Sequence, residues 1–142
     1  MRLSADEAAA RLTGSTHGVL STGHPQNGPH ALPVVFAVDD TNRIVIPIDR
    51  VKPKAEGRLQ RELNLEADPR AALLVDGWDP DDWTRLWWVR ADLRYEATVG
   101  PDAWGDLAAR LEARYPQYRG QPFARLLVLT IDGFTGWAAS GA

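Results

Sequence analysis

Residues 70–99 read RAALLVDGWDPDDWTRLWWVRADLRYEATV, and this stretch decides the fold. Residues 70–77 form a continuous apolar run of strand length, and residues 85–99 are typical of one long or bent strand. The letters WDPDDWT between them predict a polar loop that carries two tryptophans. The chain as a whole shows six or seven strands that helices interrupt only at the ends, which favours an antiparallel barrel over a parallel doubly wound sheet.

The flanking sequence adds further strands and a few short helices. SADE at Ser4 is a capping box, so a short helix begins there and stops near Gly14. Another short helix ends before Asp68, and a longer one starts at Pro101. Further strands are predicted at residues 17–22, 31–38, 43–49 and 123–139, the first two as a hairpin. The pattern predicts one mainly β (α+β) domain over residues 1–142, an antiparallel barrel with short flanking helices.

Composition excludes several classes of protein. A net charge of -3 argues against a nucleic-acid groove, which needs a broad basic surface. The absence of cysteine excludes disulfides, thiolate catalysis and sulfur-ligated metals. No signal core or membrane span is recognisable in the sequence, so we expect a soluble, cytoplasmic protein.

Positive charge is concentrated in one segment that follows the strand at residues 43–49. The chain has two lysines in all, and both lie here. A strand-to-helix turn presents backbone N–H groups, so neighbouring cations predict a seat for phosphate. The alternatives are a solvated turn and, for the two later arginines, the polar face of a helix. The cations are Arg50, Lys52, Lys54, Arg58 and Arg61.

Two adjacent tryptophans lie in the long strand. Trp87 and Trp88 must point to opposite faces of a sheet, so one joins the core and the other meets a ligand or a partner chain. Arg90 shares the face of Trp88, and an aromatic ring beside a cation suits a planar anionic molecule. Packing in the core or between two chains is the alternative.

Metal binding is not predicted. His24 and His30 flank one turn, and His17 precedes it, but no metal-ligand spacing is present. The aspartates of residues 76–82 lack the order of an EF-hand loop, so we expect them in a solvated loop.

Four motifs in this order carry a family resemblance. RIVIPID, KPK, NLEADPRAALLVD and DDWTRLWWVRA resemble the pyridoxamine 5'-phosphate oxidase-like split β-barrel family, which binds FMN or F420. The nearest resemblance is to small actinobacterial members of the F420-dependent oxidoreductase type. The likeness covers about residues 18–99, together with TGWAA near the C-terminus. It implies a split β-barrel homodimer with the cofactor in the groove between two chains.

The resemblance also implies positions for the cofactor. Cations after the 43–49 strand hold the phosphate, and the ring lies against the backbone of residues 33–35 and near the strand of the paired tryptophans. A tryptophan of TGWAA approaches from the partner chain, and Arg58 or Arg61 follows the acidic tail of F420. The residues so implied are Pro33, Val34, Val35, Arg50, Lys52, Lys54, Arg58, Trp88, Arg90 and Trp137.

The expected function is hydride transfer from reduced F420 to an unsaturated small molecule. The chain departs from true pyridoxamine phosphate oxidases because it lacks their C-terminal arginine and histidine segment, and KPK replaces their SRKG-like turn. No residue of the sequence is assigned as acid, base or nucleophile, so the chemistry is expected from the cofactor. The alternatives are an FMN-dependent oxidase or reductase of the same fold and a non-enzymatic protein that binds flavin, F420 or haem.

Overall fold

A computed structural model describes residues 1–49 and 58–140, which form one antiparallel sheet flanked by helices. The helices are α1 (Ala5–Gly14), α2 (Gln60–Ala67) and α3 (Pro101–Arg114), and a 3-10 turn spans Pro116–Tyr118. The first four strands are β1 (Gly18–His24), β2 (Gly28–Val34), β3 (Ala37–Val38) and β4 (Arg43–Asp49). The remaining strands are β5 (Arg70–Asp79), β6 (Asp82–Tyr95) and β7 (Phe123–Ala138).

The sheet curls into a barrel that is split on one side. Within the described residues its strand order is β2-β1-β5-β6-β7-β4-β3, so β2 and β3 lie at opposite edges. Val35 and Phe36 alone separate these two strands along the chain. Three Cα–Cα steps reach at most about 11 Å, so the two edges must come close together. The predicted antiparallel split barrel is therefore confirmed.

The core lies inside the curled sheet. Leu20, Leu73 and Val89 come from three neighbouring strands and are fully buried there. Helix α1 covers one end through Ala8 and Leu12. A second cluster lies where α3 packs against β4 and β7, and it contains Val45, Leu107, Leu111, Phe123 and Val128.

The helix boundaries follow the predicted signals. Ser4 caps α1 by accepting the N–H of Glu7, whose side chain accepts the N–H of Ser4 in return. Pro101 begins α3, and α2 ends before Asp68. None of the helices in residues 1–49 and 58–140 is both long and apolar enough to cross a membrane.

Two local predictions were wrong. WDPDDWT is a hairpin and not a loop, since β5 continues to Asp79 and β6 begins at Asp82. The Asp79 carboxylate accepts the N–H of Asp81 at 2.9 Å, so the acidic residues form the turn. Residues 31–38 are two strands, because the chain leaves one sheet edge at Val34 and joins the other at Ala37.

Both strand prolines lie where a missing N–H is tolerated. Pro33 lies on β2, an edge strand of the sheet that the described residues form. Pro47 pairs with Leu126 on one side, and β3 pairs with β4 at Ile44 and Val45 but does not reach Pro47. At such positions a proline does not cost the sheet a hydrogen bond between strands.

Candidate functional site

The barrel split is held in place by the end of α3. The hydroxyl of Tyr115 accepts the N–H of Phe36 at 3.4 Å and lies 2.8 Å from the carbonyl oxygen of the same residue. The carbonyl oxygen of Thr16 is 2.5 Å from that hydroxyl. One phenol therefore ties the connection between the two sheet edges to the loop before β1.

A cavity of about 430 Å³ opens at this split. Its walls are mostly apolar and aromatic, and its volume falls in the range of small-molecule sites. Val35 enters it from the connection between β2 and β3, and Asp49 enters it from the end of β4. The lining residues are Val35, Asp49, Tyr115, Gln117, Tyr118 and Pro122.

Two side chains give the cavity its polar character. Burial raises the pKa of Tyr118 to about 12, and the neighbouring Asp49 carboxylate adds to the shift. Tyr118 therefore stays protonated at neutral pH and remains a hydrogen-bond donor. One oxygen of Asp49, Oδ1, is buried without a hydrogen-bond partner among the described residues.

Arg61 lies close enough to Asp49 for their charges to interact. Burial lowers the pKa of its guanidinium, while the charges of Glu62 and Asp49 oppose that shift. Its Nε is buried and makes no hydrogen bond within residues 1–49 and 58–140. Buried polar atoms without partners are rare in folded proteins. The unpartnered Oδ1 of Asp49 in the cavity wall marks the end of β4 as a place that a polar ligand group can complete.

The second candidate region is the convex side of the sheet, here called the outer face. In one row across the strands Pro33 pairs with Val19, Val19 with Leu74, and Leu74 with Arg90. Directly paired residues share a face. In the next row Trp88 pairs with Trp137. The outer face consists of Val19, Pro33, Leu74, Trp88, Arg90 and Trp137.

The opposite orientation of the adjacent tryptophans is confirmed. Trp87 packs against the inner core, whereas Trp88 shares the outer face with Arg90. The guanidinium of Arg90 lies 3.4 Å from the carboxylate of Asp92 and 3.4 Å from the hydroxyl of Thr135.

The structure separates some of the predicted cofactor residues from others. Pro33 and Arg90 are three strand spacings apart, about 14 Å on a sheet. The side chain of Val34 points into the core, where the residue is 8% exposed, while Val35 lines the cavity. Within one chain, a ring in contact with Val35 therefore does not also reach Arg90.

Only some of the cations predicted to bind the cofactor lie in the part of the chain that the structure describes. Arg50, Lys52 and Lys54 lie outside the described residues. Arg58 forms an ion pair with Glu66 and lies 3.9 Å from Glu62, so acidic neighbours already balance its charge.

Sequence reasoning missed the far wall of the cavity. Gln117, Tyr118 and Pro122 belong to the turn after α3, about seventy residues from β4 along the chain. Tyr115, which also lines the cavity, directly follows the last residue of α3. An aromatic cluster in YPQY was the one available signal, since Tyr118 also packs on Phe123 with ring centroids 5.0 Å apart.

Of the three histidines, His24 has a structural role in the turn between β1 and β2. Backbone N–H groups of Gln26 and Asn27 donate to Nδ1 of His24 at 3.1 and 3.3 Å, which closes the β1–β2 turn. Across the part of the chain that the structure describes, no group of three or more potential metal ligands is found.

Comparison with solved structures identifies the fold. A FAD-binding protein from Mesorhizobium loti aligns over 96% of this chain and 93% of its own, at 18% identity and a TM-score of 0.72. The FAD-binding protein of Mycobacterium smegmatis aligns over 96% and 97%, at 16% identity and a TM-score of 0.64. The heme storage protein HutZ from Vibrio cholerae aligns over 94% of both chains, at 14% identity and a TM-score of 0.67. Identities this low show a shared fold.

Sequence comparison assigns the family. No curated protein sequence matches this chain significantly. The profile of the family described as pyridoxamine 5'-phosphate oxidase, however, matches residues 4–138. This match includes the whole curled sheet, the barrel split and the cavity beside it, so the chain belongs to the pyridoxamine 5'-phosphate oxidase family.

Proposed function

We propose that this protein is an F420-dependent oxidoreductase that holds the deazaflavin at the barrel split. The observation that carries the proposal is the cavity of about 430 Å³ in which Val35 and Asp49 meet. Val35 belongs to the segment expected to contact the ring. Asp49 directly precedes the segment with Arg50, Lys52 and Lys54, the cations expected to hold phosphate.

The residues of the cavity fit a planar ring with polar edges. Val35, Tyr115 and Pro122 supply apolar walls, and the protonated hydroxyl of Tyr118 supplies a donor. Asp49 and Gln117 add acceptor oxygens, which suit the N–H groups of a deazaflavin or flavin ring. A ring in such a site is shielded from water on the side of α3.

Hydride transfer is the chemistry that a reduced deazaflavin supplies when it is bound. The part of the protein is to orient both reactants, because the reacting carbons must come within about 3.5 Å. In this proposal the aromatic walls exclude water, and the cations after β4 anchor the phosphate. An unsaturated small molecule is the proposed hydride acceptor.

A homodimer is part of the proposal. The outer face exposes Leu74 to 41%, Trp137 to 37% and Val19 to 36%. A contiguous apolar surface of this kind favours contact with a second chain. In a symmetric dimer the outer face of one chain packs against its partner, and Trp137 reaches the partner's cofactor groove.

Competitive titration tests the choice of cofactor. The purified protein is titrated with F420, FMN and FAD while tryptophan fluorescence is followed, and the cofactor released on denaturation is identified by mass. We expect F420 to bind most tightly. The double variant Lys52→Ala, Lys54→Ala should weaken binding by at least about tenfold, since each lost charge-assisted contact is worth about 1.5–3 kcal/mol. The matched control removes two distant cations, Arg94 and Arg119.

The alternatives are outcomes of the same experiment. If FMN or FAD co-purifies with the protein, or if either binds more tightly than F420, the cofactor is a flavin and not F420. That outcome would agree with the FAD-binding proteins that share this fold. Tight cofactor binding without reduction of any acceptor would indicate a storage or carrier protein. An unchanged titration of the lysine variant overturns the proposed phosphate site.

A further inference from the structure

Asp49 and Arg61 carry opposite charges that interact, yet two of their buried polar atoms are unsatisfied. Oδ1 of Asp49 and Nε of Arg61 have no hydrogen-bond partner among the described residues, so these two atoms do not bond to each other. Arg43 and Asp39, by contrast, close into an ion pair at 2.8 Å. An acceptor on one residue and a donor on the other are therefore both available to a third group.

The acceptor of this pair belongs to the cavity at the barrel split. Asp49 lines that cavity together with Tyr118. The hydroxyl of Tyr118 hydrogen-bonds the Asp49 carboxylate, and since Oδ1 has no partner, the accepting atom is Oδ2. A small turn about the soft torsion of the carboxylate presents Oδ1 to a group in the cavity. Tyr118 thus holds one oxygen of Asp49 and leaves the other for a ligand.

The two charges restrict the kind of group that can bind to both residues. An anion is repelled by Asp49, and a cation is repelled by Arg61. A hydroxyl fits, because its single oxygen can donate to the carboxylate and accept from the guanidinium. Hydrogen bonds of this kind, with a charged partner, are stronger than those between neutral groups. The pair therefore favours a neutral alcohol.

The place of Asp49 in the chain indicates which alcohol this is. Val35, which is expected to contact the ring, lines the same cavity. In the other direction Asp49 directly precedes the segment with Lys52 and Lys54, the cations expected to hold phosphate. In F420, as in FMN, a short polyol chain joins the ring to the phosphate. Its hydroxyl groups therefore pass between these two regions.

We propose that Asp49 and Arg61 together bind one hydroxyl of this polyol chain, which donates to Asp49 and accepts from Arg61. In this arrangement Gln117 is the acceptor that serves a ring N–H. The inference rests on the proposed function for the positions of ring and phosphate, but not on the choice between deazaflavin and flavin, because both carry the chain. The pair discriminates against a ring without a polyol, since such a ligand leaves both buried atoms unpaired.

The test compares riboflavin, which has the ring and the polyol but no phosphate, with lumiflavin, which has the ring alone. Each compound is titrated with the protein while its own fluorescence is followed. We expect riboflavin to bind at least about tenfold more tightly than lumiflavin. Asp49→Ala and Arg61→Met should each bring the two dissociation constants to within about threefold of each other. The double variant should lose no more than either single variant, because both residues bind the same hydroxyl.

Two further variants separate the proposed contact from an effect on the fold. Asp49→Asn keeps an acceptor oxygen and should retain most of the preference for riboflavin that Asp49→Ala loses. Asp81→Ala, the matched control, removes an exposed carboxylate at the turn between β5 and β6 and should titrate like the unmodified protein. Circular dichroism confirms that each variant is folded.

Equal binding of riboflavin and lumiflavin by the unmodified protein overturns the proposal, and so does riboflavin binding that does not saturate. A preference that survives in Asp49→Ala, or an equal loss of both ligands, would show that Asp49 does not bind the polyol.

F420 titrations of the same variants separate this result from failure of the proposed function. F420 binding that depends on Lys52 and Lys54, without any preference for the polyol, overturns the hydroxyl contact alone. A polyol preference without F420 binding supports the contact and overturns the proposed cofactor.

Discussion

The inner and outer faces of β5 and β6 carry similar side chains in very different surroundings. Leu73 is completely buried, whereas its neighbour Leu74 is 41% exposed. Trp87 packs against the inner core, whereas Trp88 lies on the outer face beside Trp137. Because a strand alternates its side chains, one apolar run supplies both faces. The inner face is buried within the chain, whereas the outer face leaves apolar side chains exposed.

Shortening one leucine on each face gives the largest expected contrast. Leu73→Ala should lower the free energy of unfolding by about 2–5 kcal/mol, since it removes buried contacts and leaves a cavity. Leu74→Ala should cost less than about 1 kcal/mol, because the side chain is partly in water already. Urea denaturation at one protein concentration measures both. Equal losses would mean that the two faces do not differ in the way described.

The inner face is also tightly packed around Trp87. A Cβ at Gly77 would lie 2.4 Å from Nε1 of this indole, so Gly77→Ala must displace the ring. We expect a loss of about 1–3 kcal/mol in the free energy of unfolding. Gly133→Ala is the control, as no atom lies within 4 Å of its added Cβ. A Gly77 variant as stable as the Gly133 variant would show that the inner face tolerates added volume.

A substitution on the outer face should change how tightly two chains associate and not how stable each fold is. Trp137→Ala is expected to raise the dissociation constant of the proposed homodimer by at least about tenfold, as central tryptophans often dominate interfaces. Analytical ultracentrifugation over a concentration series measures this, with Trp83→Ala at the β5–β6 turn as control. A monomer at all concentrations in the unmodified protein contradicts the dimer.

The smallest expected effect concerns an acid on the buried side of α2. Burial alone would raise the pKa of Glu62, but hydrogen bonds from Arg125 and from the N–H of Leu59 outweigh it, so the pKa lies below its usual 4.5. The charged carboxylate therefore stabilises the fold above about pH 4.5, and this contribution is lost as the pH falls through the folded-state pKa.

Replacing this carboxylate tests the sign of that dependence. Glu62→Gln should cost less than about 1 kcal/mol at pH 7, because Arg125 is partly exposed and the amide still accepts a hydrogen bond. The difference from the unmodified protein should shrink as the pH is lowered from about 6 to 3. A difference that grows on acidification would contradict the lowered pKa.

Most elements of the fold could be predicted because their signals are local. The capping box at Ser4, the proline that begins α3 and the alternation at Trp87 and Trp88 each act over a few residues. The turn at Asp79 was missed because four aspartates and two tryptophans look like a solvated loop when their turn hydrogen bonds are not known. The break at Val35 was missed because the apolar run continues through it.

The sequence indicated one wall of the candidate cavity and not the opposite wall. Val35, on the segment before β3, was expected near the cofactor, and it lines the cavity. Tyr118 and Pro122 were not found, since their contact with Asp49 depends on how α3 packs across β4 and β7. The phosphate cations and the dimer remain predictions, and the titrations and variants above test them.

The sequence by itself determined which stretches become strands and helices, which face of each strand is apolar, and where positive charge is concentrated. Each of these follows from periodicity, capping or composition over short distances. The tertiary structure decided where the sheet closes on itself, and so which distant residues share a cavity. Barrel closure brings Val35, Asp49 and Tyr118 together through pairings between strands far apart in the chain, and no local pattern encodes those pairings.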